Sequence, residues 1–172
     1  MSNGLPRSIL FVCLGNICRS PLTEGVFRAV LAERGLDAYF AIDSAGTGGW
    51  HAGSAPDPRS IAVAAHHGID ITGQQARKVT LADFERFDLI LGMDRSNVDD
   101  LRRLAPQGSP ARIELFLGHA SGAKKDVPDP YYGGEDGFMN VYRMIREASE
   151  ALADRLAGCE ETPLSGQASS TM

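Results

Sequence analysis

The chain has 172 residues, of which 43% are hydrophobic, and a net charge of −5. This length suits one compact domain with a substantial core, and the acidic balance argues against nucleic acid as the main partner. The three cysteines do not suit a secreted disulfide framework, and the apolar run at 9–14 is too short to span a membrane. We therefore expect a cytoplasmic protein that binds neither nucleic acid nor membrane.

The N-terminal part of the chain predicts a strand followed directly by a helix. Residues 8–12 are apolar and partly β-branched, which is typical of a strand buried on both faces. Ser20 is placed to cap the helix, Pro21 suits its first turn, and Gly35 is placed to end it. The segment between the strand and the helix is therefore a tight loop at a helix N-terminus.

The next part of the chain predicts a strand, a long loop and two helices. Residues 38–42 predict the second strand, and the Gly- and Pro-rich stretch 45–58 predicts a loop that carries the single tryptophan, Trp50. The Ala-rich segment 58–67 and the capping pattern at 80–83 predict a second helix and a short third one.

The remaining elements continue this alternation. Residues 87–91 predict a third strand, Asp94 is placed to cap the following helix, and 112–117 predict a fourth strand. A long loop over 118–134 precedes a final helix over 135–157. Strands that alternate with helices predict an α/β fold, a doubly wound parallel sheet flanked by about five helices.

The predicted fold places a possible site directly after the first strand. We expect one domain over 1–159 and a disordered tail over 160–172. Ligands of open parallel sheets bind beyond the carboxyl ends of the strands, near the point where the strand order reverses. Cys13 lies at that position in the chain.

The loop that begins at Cys13 combines features that bind a phosphate dianion. Successive backbone N–H groups ahead of a helix bind anions, and Gly15 and Asn16 tolerate the left-handed backbone that a curled loop needs. Arg19 adds a planar fork for two phosphate oxygens, and the same positive field stabilises the nucleophilic thiolate of Cys13. The predicted phosphate-binding residues of this loop are Leu14, Gly15, Asn16, Ile17, Cys18 and Ser20.

Expulsion of the leaving group requires a proton donor, for which the sequence offers three carboxyl groups. The candidates are Asp57, Asp94 and Asp129, and each precedes a helix or a proline where an aspartate is also a common turn or cap residue. Tyr131 and Tyr132 follow Asp129 and, with Trp50, predict walls for an aromatic ring. The four histidines are more typical of surface or core positions than of catalysis.

These residues together resemble the low-molecular-weight protein tyrosine phosphatases over nearly the whole chain. The resemblance lies in four motifs: the run from Val12 to Pro21, Asp43-Ser44-Ala45-Gly46-Thr47, Phe87-Asp88 with Met93-Asp94, and Asp129-Pro130-Tyr131-Tyr132. It implies a four-stranded parallel sheet in the order 2-1-3-4. It also implies Cys13 as the nucleophile, Arg19 as the transition-state ligand, Asp129 as the acid and Ser20 as a hydrogen-bond partner of the thiolate.

The resemblance extends to supporting residues and to partners. Asn16 and Ser44 correspond to residues that brace the loop, whereas Gln74 stands near the position of a histidine that many members carry. The Gly-rich aromatic loop indicates a bacterial member. The implied partner is a tyrosine-phosphorylated protein, with a bacterial tyrosine kinase as one candidate, and we expect a monomer or weak dimer without metal or cofactor.

Three other functions compete with this interpretation. A thioredoxin-coupled arsenate reductase needs further cysteines in mid-chain, and none lies between Cys18 and Cys159. A protein-arginine phosphatase carries threonine where this chain has Ile17. In a silent phosphate-binding or redox-sensing module, Cys13 and Cys18 would only cycle between thiols and a disulfide, which is also the predicted redox switch of an active enzyme.

Overall fold

The computed structural model describes residues 6–130 and 135–170, with side chains for 6–130 and 136–157. Within these residues, four strands form one parallel sheet that helices flank. The strands are β1 (Ser8–Cys13), β2 (Ala41–Gly46), β3 (Leu89–Gly92) and β4 (Arg112–Leu115). The helices are α1 (Arg19–Glu33), α2 (Pro58–His66), α3 (Asp83–Arg86), α4 (Arg95–Leu104), α5 (Phe116–Ser121) and α6 (Glu135–Ser170), with a 3₁₀ turn at Asp37–Tyr39.

The sheet has the strand order β2-β1-β3-β4, which confirms the predicted α/β fold. The strand β1 pairs in parallel with both of its neighbours, so that Phe11 lies between Ser44 on one side and Leu91 on the other. Ile9 and Leu10 of this strand have no exposed surface. The apolar run of β1 is therefore explained by burial on both faces of a central strand.

Hydrophobic side chains cover both faces of the sheet. On one face, the Phe11 ring contacts Phe27 of α1 and Phe116 of α5 edge to face, with centroids 5.6 and 5.5 Å apart. On the other face, Leu10 belongs to a smaller cluster with Phe84. The two clusters hold the carboxyl end of β1 rigidly because aromatic contacts of this kind add to the burial of apolar surface.

Some element boundaries differ from the predictions. The second strand begins at Ala41, which pairs with Ser8, because the 3₁₀ turn occupies residues predicted as strand. The helix α5 lies partly in the predicted loop 118–134, and its Leu117 and Ala120 are buried. These short elements depend on contacts with distant segments, which local patterns do not contain.

Helix termini carry the clearest local signals, and two of the predicted caps are present. Asp57 caps α2 by accepting a hydrogen bond from the N–H of Arg59, and Asp94 caps α4 in a reciprocal capping box with Asn97. The predicted cap Ser20 is wrong, because α1 begins at Arg19 and Ser20 lies inside its first turn. This earlier start leaves the Ser20 hydroxyl available to another group.

The last helix continues past Gly158, where the sequence predicts its end, and reaches Ser170. The division into a domain over 1–159 and a tail over 160–172 stays a prediction. In the part of the chain that the structure describes, no helix combines the length and hydropathy needed to cross a membrane. The carboxyl ends of β1, β2 and β3 meet at one edge of the sheet, which is where the site lies.

Candidate active site

Residues 13–20, named the phosphate loop after their predicted role, are held from outside by hydrogen bonds to their carbonyl oxygens. Four bonds do this: Thr47 N to Cys13 O (3.0 Å), Gly48 N to Leu14 O (2.9 Å), Asp57 N to Ile17 O (2.8 Å) and Ser60 Oγ to Cys18 O (3.2 Å). In a trans peptide the N–H points opposite to the C=O. The amides that follow these four carbonyls therefore face the concave side of the loop, as anion binding requires.

The Cys13 sulfur lies at the base of this loop, at the carboxyl end of β1. Cys13 is 2% exposed, its Sγ lies 3.1 Å from Ser20 Oγ, and the Asn16 N–H donates to it over 3.3 Å. Asn16 is the one non-glycine residue with a left-handed backbone (φ 58°) in the described part of the chain. One backbone donor and one hydroxyl group therefore lie within hydrogen-bond distance of the sulfur.

Gly15 has a structural role other than the predicted left-handed turn. Gly15 does not have a left-handed backbone. A Cβ at this position would lie 3.1 Å from the His51 ring, so the absence of a side chain permits close packing instead. A second glycine matters more, because a Cβ on Gly46 would lie 2.8 Å from the Leu14 oxygen and 3.1 Å from the Asn16 nitrogen. The sequence indicates Gly46 only through its place in the motif Asp43-Ser44-Ala45-Gly46-Thr47.

The side chain of Asn16 connects the loop to its surroundings. Its Nδ2 donates to Ser20 Oγ over 2.8 Å and to Ser44 Oγ over 3.1 Å. Its Oδ1 accepts the backbone N–H of Arg77 over 2.9 Å. Ser20, the predicted partner of the thiolate, and Ser44, the predicted support of the loop, therefore contact one buried amide.

Two further residues extend this network, and one of them was not among the predicted residues. Ser44 Oγ donates to the carboxylate of Glu24 over 2.9 Å. Burial raises the pKa of Glu24, although the bonds from Ser44 and Arg28 act in the opposite direction. Gln74 donates to the Pro21 carbonyl over 3.0 Å, and its Oε1 lies 3.5 Å from Ser44 Oγ. The signal for Glu24 was that it is the one acidic residue in the buried first half of α1.

The guanidinium of Arg19 is 3% exposed and is oriented by two carboxylates. Its Nη1 donates to Asp94 over 2.7 Å and to the Val127 carbonyl over 3.0 Å, and its Nη2 lies 3.6 Å from Asp129. Burial alone would lower the pKa of Arg19, but the negative charges of Cys13, Asp94 and Asp129 raise it above the ordinary value. Arg19 therefore stays a cation next to the sulfur.

The structure separates the three candidate carboxyl groups. Asp57 is 8% exposed and pairs with Arg59 while it caps α2. Burial would raise the pKa of Asp57, but the hydrogen bonds from Arg59 outweigh this effect and lower it. Asp94 caps α4 and holds Arg19. Asp129 is 45% exposed and is the one of the three that lines the cavity above Cys13.

Cys18 lies in the same loop as Cys13 but in a different environment. It is 5% exposed, and burial raises the pKa of its thiol to about 12, with Asp57 and Cys13 adding to the effect. At neutral pH it is therefore a thiol. Cys13 and Cys18 are both reduced in the structure.

The phosphate loop opens into a cavity of about 250 Å³. Its described lining consists of Cys13, Leu14, Gly15, Ile17, Cys18, Arg19, Trp50, His51 and Asp129. Trp50 is 71% exposed and Leu14 is 44% exposed, which leaves an apolar rim open to solvent. His51 was not among the predicted site residues, whereas Tyr131 and Tyr132 lie outside the described residues. Among the residues described, no three His, Cys, Asp or Glu side chains form a group that could hold a metal ion.

Comparison with known proteins agrees with this geometry. The family model described as "Low molecular weight phosphotyrosine protein phosphatase" matches residues 8–161. A protein of that name from Schizosaccharomyces pombe is 49% identical over 151 residues, which cover 87% of this chain and 96% of the relative. The low molecular weight protein-tyrosine-phosphatase of the bacterium Streptomyces coelicolor is 45% identical over 84% of this chain and 90% of its own.

A solved structure shows the same fold. The protein tyrosine phosphatase of Entamoeba histolytica, solved with Hepes in its active site, has a TM-score of 0.83 and 37% identity. The match covers 89% of this chain and 98% of the other. The family match, the relatives and the shared fold together identify the chain as a member of the low molecular weight phosphotyrosine protein phosphatase family.

Proposed function

We propose that this chain hydrolyses phosphotyrosine in proteins through a phosphocysteine intermediate on Cys13. The observation that carries the proposal is the placement of the Cys13 sulfur, the Arg19 guanidinium and the Asp129 carboxyl group around one cavity. Inward-facing amides around a buried sulfur suit a phosphoryl group, because its oxygens accept hydrogen bonds from several sides.

The first chemical step transfers the phosphoryl group to sulfur. The Cys13 thiolate attacks phosphorus in line, the S–P bond forms, and the P–O bond to the aryl group breaks. Arg19 and the loop amides stabilise the charge on the equatorial oxygens. Asp129 gives its proton to the departing phenolate oxygen, for which its exposed position at the cavity wall is suitable.

The second step releases phosphate. Asp129, now a carboxylate, accepts a proton from water, whose oxygen attacks phosphorus and displaces the Cys13 thiolate. Arg19 binds the phosphoryl group throughout. Because Asp94 and the Val127 carbonyl already orient Arg19, little reorganisation is needed when the phosphate enters.

The apolar residues at the rim of the cavity favour an aromatic substrate. Trp50 and Leu14 present apolar surface at the mouth of the cavity, and Ile17 lines its wall. A planar phenyl ring buries more surface against such a rim than a flexible alkyl phosphate does. Tyr131 and Tyr132 remain predicted parts of the same rim, and a bacterial tyrosine kinase remains a candidate substrate.

The catalytic roles are tested by variants measured on a series of aryl phosphates. Cys13→Ser should lose turnover, and Asp129→Ala should lose about 10²- to 10⁴-fold in kcat, most of all with the poorest leaving groups. Asp126→Ala is the matched control, because Asp126 is 44% exposed and pairs with Arg95 away from the cavity. Equal losses for the two aspartate variants, or full activity of Cys13→Ser, would refute the assignments.

The substrate class is tested in parallel with phosphotyrosine peptide, phosphoarginine peptide and arsenate. We expect turnover of the phosphotyrosine peptide to exceed that of the other two. Faster hydrolysis of phosphoarginine would assign the enzyme to the other substrate class, and reduction of arsenate would assign it to a different reaction.

We also propose that Cys18 protects the nucleophile against oxidation. Peroxide converts the Cys13 thiolate to a sulfenic acid, and the Cys18 sulfur then displaces water to form a disulfide that a thiol reductant can open. Activity lost in mild peroxide should therefore return after thiol treatment in the wild type but not in Cys18→Ser. Equal recovery of both proteins would refute this role.

A further inference from the structure

The phosphate loop has a partner on its far side that the catalytic steps do not use. Residues 77–79 run along the carboxyl end of β2, where Gly46 N donates to the Arg77 carbonyl over 2.8 Å and Val79 N donates to the Gly46 carbonyl over 2.9 Å. From this position the backbone N–H of Arg77 donates to Asn16 Oδ1 over 2.9 Å.

This bond determines which way the amide of Asn16 faces. A backbone N–H can only donate, so the oxygen of Asn16 must point to Arg77 and its Nδ2 must point to Ser20. Ser20 Oγ then accepts from Asn16 and keeps its own proton for the Cys13 sulfur, 3.1 Å away, or for the Ala45 carbonyl, 3.4 Å away. In the flipped amide, the Asn16 oxygen would take the Ser20 proton.

The side chain of Arg77 explains why its backbone stays in place. Its Nη1 and Nη2 bind the two carboxylate oxygens of Asp83 at 2.9 and 3.0 Å, and Nη2 also binds Asp43 of β2 at 3.1 Å. Asp83 is 2% exposed and also accepts the backbone N–H of Thr80 over 2.8 Å. A bidentate pair with a buried carboxylate holds a guanidinium in one orientation, which a lysine cannot reproduce.

Titration does not weaken this cluster near neutral pH. Burial would raise the pKa of Asp83, but hydrogen bonds from Arg77 and Thr80 outweigh it and hold the pKa below the ordinary value. Burial would lower the pKa of Arg77, whereas Asp83 and Asp43 raise it. Both partners of the buried pair are therefore charged wherever the enzyme is assayed.

We propose that Arg77 is a positioning residue for the nucleophile. Through its ion pairs with Asp83 and Asp43 it holds its own backbone N–H on Asn16, and this bond keeps the Ser20 proton available to the Cys13 sulfur. The effect on turnover rests on the proposed function, but the effect on the sulfur can be measured without any turnover.

The test compares Arg77→Met, Arg77→Lys and Asp83→Asn with a matched control, Arg146→Met. Arg146 is 28% exposed and binds two carboxylates, Glu33 and Glu150, whereas Arg77 is 31% exposed. For each folded variant, the rate of Cys13 alkylation by iodoacetamide is measured from pH 5 to 8, together with kcat and KM for p-nitrophenyl phosphate.

Weakening one hydrogen bond to a charged sulfur should reduce the alkylation rate of Arg77→Met at pH 6 by about 5- to 10-fold and kcat/KM by about tenfold. The rising limb of the alkylation profile should move to higher pH. Asp83→Asn should show smaller changes in the same direction, and Arg77→Lys should recover part of the loss. Arg146→Met should remain within about twofold of the wild type.

Two results would overturn the proposal. One is an unchanged alkylation profile in both Arg77→Met and Asp83→Asn. The other is an equal change in Arg146→Met, which would indicate general loosening of the fold. A wild type that alkylates normally but does not hydrolyse phosphate esters would instead reject the proposed function, so the two failures are distinguishable.

Discussion

Asp94 performs two tasks, and two substitutions can separate them. It caps α4 by accepting the Asn97 N–H over 2.8 Å, and it accepts a charge-assisted bond from the buried Arg19 over 2.7 Å. Asp94→Asn keeps a good capping residue and removes the charge, whereas Asp94→Ala removes both. The difference between the two variants therefore isolates the cap.

The expected magnitudes follow from these contacts. A hydrogen bond between charged groups contributes about 1.5–3 kcal/mol. Asp94 accepts from Asn97 with one oxygen and from Arg19 with the other, so the single amide oxygen of Asp94→Asn keeps the cap and the bond to Arg19 is lost. We therefore expect a loss of about 1.5–3 kcal/mol in the free energy of unfolding. Loss of the cap adds about 1 kcal/mol, which gives about 2.5–4 kcal/mol for Asp94→Ala.

The assay is urea denaturation at pH 7, followed by circular dichroism at 222 nm and linear extrapolation. Fluorescence is less suitable because the single tryptophan, Trp50, is 71% exposed in the folded protein. Equal losses for the two variants would refute the capping contribution. A loss below about 0.5 kcal/mol for both would refute the view that Asp94 stabilises the buried guanidinium.

Three further predictions concern the surroundings of the loop. Gly46→Ala should lower kcat/KM by at least about tenfold, because its Cβ would lie 2.8 Å from a loop carbonyl. Gly73→Ala should leave kcat/KM unchanged, because a Cβ there would have no atom within 4 Å. Steady-state kinetics of both variants test this prediction. Asp83→Asn should cost about 2–4 kcal/mol at pH 7, since a buried ion pair is broken. Because the pKa of Asp83 is lowered in the folded protein, its contribution to the free energy of unfolding is present above about pH 4 and is lost as the pH falls through the folded pKa. Urea titrations at pH 7 and 2.5 should therefore show that the stability difference between Asp83→Asn and the wild type shrinks on acidification. With a thiol pKa of about 12, Cys18 should stay unmodified by iodoacetamide at pH 7 while Cys13 reacts, as peptide mapping would show; labelling of both in the folded protein would contradict this.

Much of the fold followed from local patterns because the strongest signals are short in sequence. The apolar run of β1, the cap Asp57 before α2 and the cap Asp94 before α4 all lie where the sequence placed them. The positions of β2 and α5 did not follow, because pairing of Ala41 with Ser8 and packing of Phe116 on Phe11 join residues far apart in the chain.

The candidate site shows the same division. By itself the sequence predicted the phosphate loop, because Cys13, Asn16 and Arg19 lie within eight consecutive residues between a strand and a helix. Chemistry alone left Asp57, Asp94 and Asp129 as equal candidates for the acid, and the neighbouring tyrosines and the family motif favoured Asp129. Nothing in the sequence indicated Arg77. Only the tertiary structure brings Asp129 to the cavity wall and the Arg77 N–H to Asn16, since these contacts span 110 and 61 residues of chain. Hydrogen bonds and ion pairs act over a few ångströms. The distances between residues that lie far apart in the chain are set only when the chain packs into its tertiary structure.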